Sequence, residues 1–210
     1  RRALLFFGLT IAISLALEAL GVATGWVYGP YHYTDRLGPL FLGLVPFTIP
    51  LTWYMMLYPA YRIADRVAPS GWRVRWLAVA ALGGLAMVAW DLAMDPLMAS
   101  RSHWVWEISG EYFGVPLHNF AGWWLTAFLI LALYFKLAPR FSRRPILQDD
   151  RFERLAVLSY ALTGLGSVAD AALTGLVSPA LIGGAAMLLL VLWGCQRRHI
   201  SPAMVTHETR

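Results

Sequence analysis

Asp91 and Asp95 stand four residues apart in the stretch Trp90-Asp91-Leu92-Ala93-Met94-Asp95-Pro96, at the end of a long apolar run. On a helix that spacing puts both carboxylates on one face. Two ionised carboxylates so close in a low-dielectric setting repel, which favours a pair that holds one proton between them. Such a pair is a ready general acid. Further polar residues interrupt other apolar runs: Glu18 in the first, Asp170 in the fifth, and His118 and Asn119 at the start of the fourth. An acid at the centre of a membrane helix costs about 2.5–3.5 kcal/mol, and such residues usually face a bundle interior. Glu18 and Asp170 are equally open to a structural reading, as hydrogen bonds between helices. Asp95 followed by Pro96 is also compatible with the mere end of a span at the interface.

The chain that must position these groups has 210 residues, 59% of them hydrophobic and only 14% charged. Soluble domains are about a quarter charged, so the composition predicts an integral membrane protein. A bilayer core requires roughly 20 apolar residues per helix. Six spans satisfy this, at 4–23, 37–61, 74–94, 117–137, 155–177 and 179–196. The expected fold is all-α, a polytopic membrane helix bundle of about six transmembrane helices in a single domain over 1–210. Pro39, Pro46 and Pro50 predict a kink in the second span. Gly164, Gly166, Ser167 and Ala169 suit close packing in the fifth. The single cysteine, Cys195, rules out an intrachain disulfide or zinc framework. Residue 1 is Arg, so a trimmed amino end is expected.

The net charge of +5 is a matter of topology rather than of nucleic-acid binding. Fifteen of the 17 basic residues fall on alternate segments; the segments between them hold only Arg36 and Arg101. The positive-inside rule then puts both termini in the cytoplasm and the chain in the cell membrane. With that orientation Glu18, Asp91, Asp95, Asp170, His118 and Asn119 share the outer layer, next to an aromatic-rich outer loop. Most of its rings read as an interfacial belt. Trp90, Trp123, Tyr112 and Phe113 are candidates to line a pocket, where ring faces stabilise cations. No HxxxH or HxxE pair supports a metal, and no cofactor is expected.

The blocks "YGPYHYTDRLGPLFLGLVPFTIPLTWYMM", "WDLAMDPLM" and "YFGVPLHNFAGWW" carry a resemblance over about residues 24–137. In them the chain resembles the membrane-bound carotenoid biosynthesis protein family, whose characterised members are carotenoid hydratases. His118 departs from the small residue usual before Asn119. The resemblance implies a carotenoid substrate and water as partners, within the lipid bilayer and in association with other carotenoid biosynthesis enzymes. The implied reaction protonates a terminal isopropylidene double bond and captures the tertiary carbocation with water. Asp91 or Asp95 would donate the proton, Glu18, Asp170 and Asn119 would orient water, and Trp90 and Trp123 would line the cation site. His118, Tyr112 and Phe113 are further substrate-binding candidates. A lycopene-type cyclase would use the same protonation. A prenyltransferase is disfavoured because phosphates would find only Arg36 and Arg101 on that side. A transporter would spread its acids through the membrane depth instead of gathering them in one layer.

Overall fold

A computed structural model describes residues 1–69, 74–141 and 150–196. The described chain is an all-α bundle with small strand pairs at one end. In order it runs α1 (Arg2–Thr24), β1 (Tyr31–Tyr33), a 3-10 turn (Asp35–Leu37), β2 (Leu40–Phe41), β3 (Val45–Pro46) and α2 (Thr48–Val67). It continues as α3 (Arg75–Ser100), β4 (Trp104–Trp106), α4 (Leu117–Phe141), α5 (Asp150–Leu173) and α6 (Val177–Gln196). All these helices except α2 are long and apolar enough to cross a membrane. On α5 and α6, Leu158, Leu162, Leu165, Leu181 and Leu189 are exposed, as expected of side chains whose solvent is lipid. Several basic residues of the charge pattern, among them Arg73, Arg143, Arg144, Arg197 and Arg198, lie outside the described residues.

α3 is the central element and packs against α2, α4, α5 and α6. Its approach to α4 depends on small residues. A Cβ on Gly83 would stand 2.4 Å from Leu131 Cδ1, and one on Gly84 would stand 2.9 Å from the main-chain oxygen of Trp124. Lipid offers helices little hydrophobic reason to associate, so such close backbone contact carries much of the packing.

Of the helix boundaries that differ from the sequence expectation, two bear on the site. The second helix begins at Thr48, not at residue 37. Pro39, Pro46, Gly38 and Gly43 break the apolar run into a turn and a hairpin, in which Leu40–Phe41 pairs with Val45–Pro46. Pro50 falls in the first helical turn, where a missing N–H costs nothing. The proline inside α2 is Pro59. α3, by contrast, continues past residue 94 to Ser100 with Pro96 in its interior. Pro96 has no N–H to offer the Leu92 carbonyl. The phenol of Tyr112 donates to that carbonyl instead, at 3.0 Å. Asp95 therefore sits inside a helix and not at its frayed end.

Candidate active site

β1 and β4 form an antiparallel ladder with Tyr31 opposite Trp106 and Tyr33 opposite Trp104. Side chains alternate along a strand, so these four rings share the inward face, while exposed His32 and Val105 point outward. Each strand supplies donors to a different buried carboxylate. Tyr31 and Tyr33 donate to Glu18 Oε2 at 2.5 and 2.8 Å. Trp104 and Trp106 donate through Nε1 to Asp95 Oδ1 at 2.9 and 3.2 Å. Trp53 of α2 adds a bond to Glu18 Oε1 at 2.9 Å.

Asn119, in the first turn of α4, joins the two aspartates. Its Nδ2 donates to Asp91 Oδ2 at 2.8 Å and to Asp95 Oδ2 at 2.7 Å. Glu18, Asp91, Asp95 and Asn119 are 3%, 0%, 2% and 2% exposed. Asp95 and Glu18 thus each accept three hydrogen bonds, whereas Asp91 accepts one. Asp91 Oδ1 is buried and has no partner among the described residues.

A cavity of about 280 Å³ lies between these groups, with Glu18, Asp95 and Asn119 on its wall. Asp91 stands behind that wall. The rest of the deep end is aromatic: Trp53 and Trp123 stack at 4.3 Å, and Trp90 meets Trp123 edge-on at 5.9 Å. Trp90 is fixed by its own bond to Ser167, at 2.9 Å. Burial and the neighbouring Glu18 push the Tyr31 and Tyr33 phenols well above their ordinary value, so both remain donors. Burial raises Tyr28 in the same way; its hydroxyl shares a 2.9 Å hydrogen bond with Thr126.

The structure therefore brings Glu18, Asp91, Asp95, Asn119, Trp90 and Trp123 to one site, and leaves other candidates outside it. Asp170 makes a two-pronged ion pair with Arg101, at 2.5 and 2.7 Å, on a half-exposed surface away from the cavity. His118 and Phe113 are exposed, and Tyr112 acts on the Leu92 carbonyl without lining the cavity. Burial, with the charge of Asp91, raises the Tyr112 phenol to about 12. Sequence reasoning missed Tyr28, Tyr31, Tyr33 and Trp53, and treated Trp104 and Trp106 as belt residues. The alternation in Tyr31-His32-Tyr33 and Trp104-Val105-Trp106 agrees with like rings on one strand face, but it is too short to mark a strand by itself.

Chemically, the arrangement is an amide-bridged pair of buried carboxyl groups beside a third, inside an apolar aromatic chamber. The family model for carotenoid biosynthesis proteins matches residues 1–190. The chain is 33% identical over 150 residues to the bisanhydrobacterioruberin hydratase of Haloarcula japonica, an alignment covering 71% of this chain and 50% of that protein. The chain thus spans about half the length of this curated relative. No solved structure matches it.

Proposed function

The chain belongs to the carotenoid biosynthesis protein family, and from that membership we propose that it is a carotenoid hydratase. It adds water across the terminal isopropylidene double bond of an acyclic or monocyclic carotenoid, giving a tertiary alcohol. The observation that carries this reading is the pair Asp91–Asp95 bridged by Asn119 at the wall of an aromatic chamber.

Asp95 is the proton donor because it faces the cavity, with Asp91 behind it as electrostatic partner. Protonating an alkene demands a strong acid. Trp104, Trp106 and Asn119 meet that demand by solvating the carboxylate that Asp95 leaves behind. Preorganised donors of this kind act strongly in a water-excluded site. Repulsion from Asp91 keeps one proton on the pair before substrate binds. The proton goes to the less substituted carbon, and the tertiary cation forms beside the faces of Trp53, Trp90 and Trp123. Glu18, held by Tyr31, Tyr33 and Trp53, supplies negative charge toward the cation and takes the proton that water loses on attack. Asn119 has given both amide hydrogens to the aspartates, so its oxygen is the end left to position that water. No electrons are transferred, and the cycle closes when the proton taken up by Glu18 returns to Asp95, so that no net proton is consumed.

The charge asymmetry supports placing this site in the outer half of the cell membrane, with both termini cytoplasmic. The matched segment is read as one integral membrane domain. Expression in a lycopene-producing host, followed by mass analysis of the pigments, tests the function. Hydration adds the mass of one water per reacted end. A cyclase, which quenches the same cation by ring closure, leaves the mass unchanged.

A further inference from the structure

The cavity has two unlike ends. Its deep end is closed: Trp53, Asp95 and Asn119 are 1%, 2% and 2% exposed. Its other end is lined by Leu37, Thr48, Thr52, Met55 and Met98, all partly or largely exposed. Thr48, Thr52 and Met55 follow one another along one face of the first two turns of α2. Met98 belongs to the last turn of α3. Among the described residues, no charged side chain lines this mouth. Apolar side chains border it, since Phe47 and Leu51 are more than half exposed and Leu42 projects from the tip of the β2–β3 hairpin, while Asp35 and Arg36 are exposed beside Leu37. An opening bordered by exposed apolar side chains beside α3, a helix long and apolar enough to cross a membrane, suits hydrocarbon better than water.

Size adds an independent limit. An apolar cavity of ~150 Å³ holds benzene. By the same measure, about 280 Å³ holds on the order of ten carbons, roughly two isoprene units. That is one end group and a small part of a carotenoid's length.

Resting on the hydratase reading, we propose that the site admits a single end of a linear polyene at a time. The remainder of the chain runs out through the side opening between α2 and α3 into the bilayer. The far end is then never read, and a substrate with two reactive ends is hydrated in two separate visits with release between them.

The experiment uses the full chain in phosphatidylcholine vesicles loaded with lycopene, comparing the native protein, Thr52→Trp and Leu162→Trp. Leu162 lies on the exposed face of α5 and does not line the cavity or its opening. Pigment masses are followed in time, and lycopene retained by the repurified protein is measured. The native protein should release mono-hydrate first, with dihydrate following after a lag. Thr52→Trp should hydrate and retain lycopene at least tenfold less than Leu162→Trp. Met98→Trp, from the opposite rim, carries the same prediction should Thr52→Trp fail to fold. Dihydrate appearing without free mono-hydrate, or rim variants matching Leu162→Trp in retention, would overturn the proposal. If no protein hydrates lycopene while the rim variants still lose retention, the hydratase reading fails and the side opening stands.

Discussion

Asn119 reaches across the α3–α4 interface to Asp95 with a 2.7 Å hydrogen bond, and the same amide nitrogen holds Asp91 at 2.8 Å. One side chain therefore sets the geometry of a buried carboxyl pair contributed wholly by the neighbouring helix. Asn119→Ala removes both bonds and leaves two buried acceptors unsatisfied, at a cost of about 1–3 kcal/mol each. The variant should melt at lower temperature in detergent and lose hydration by ~10²-fold or more, the scale of general acid catalysis. A variant with native product yield would show that the bridge does not serve the chemistry.

The phenol of Tyr112 substitutes for a main-chain donor that Pro96 lacks. Tyr112→Phe should therefore destabilise the protein by about 1–3 kcal/mol through the orphaned Leu92 carbonyl. In a Pro96→Ala background the new N–H can pair with that carbonyl, and the same change should cost much less. A double-mutant cycle by thermal denaturation reads this coupling directly. Additive losses would mean that Tyr112 contributes packing alone.

Glu18→Gln keeps the size of the side chain but replaces an acceptor oxygen with a donor, opposing the bonds from Tyr31, Tyr33 or Trp53. Protonation of the alkene at Asp95 should survive while capture by water fails. The expected outcome is a fall in hydrated pigment of ~10²-fold with a rise in isomers of unchanged mass. Equal loss of all products would place Glu18 in folding or in the protonation step instead.

Tyr31 and Tyr33 also make a pH prediction. Both phenols are held well above the ordinary value of 10.0 in the folded protein. Above pH 10 the unfolded chain gives up these protons while the native state keeps them, so stability falls as pH rises. Below that pH the contribution is fully present. Thermal denaturation should show the loss beginning above pH 10, and reduced in Tyr33→Phe. A decline of equal slope in that variant would assign the effect to other groups.

Much of the bundle and part of the site could be read in the sequence, each for a physical reason. Long apolar runs leave little choice but helices in lipid, and acids inside such runs had to gather around something polar. That argument leads to Glu18, Asp91, Asp95 and Asn119. It misplaces Asp170, whose partner Arg101 is 69 residues away and visible only once α3 and α5 pack. The second helix is mispositioned because the apolar residues before Thr48 pair as a hairpin, which hydropathy does not distinguish from helix. The strand donors escape notice for a related reason. Three residues of alternation, as in Tyr31–Tyr33 and Trp104–Trp106, are too few to signal a strand. Aromatic rings near an interface also have a simpler explanation in the belt.

The central claim is that the Asn119-bridged aspartate pair supplies the proton for hydration. Its most direct measurement places Asp95→Asn and Asp91→Asn beside the native protein in a lycopene-producing host, with matched membrane expression and mass analysis of the pigments. The native protein should yield pigments heavier by one or two waters. Asp95→Asn should yield none, and Asp91→Asn should lose at least ~10²-fold. Full hydration by both variants, or native pigments of unchanged mass, would contradict the account.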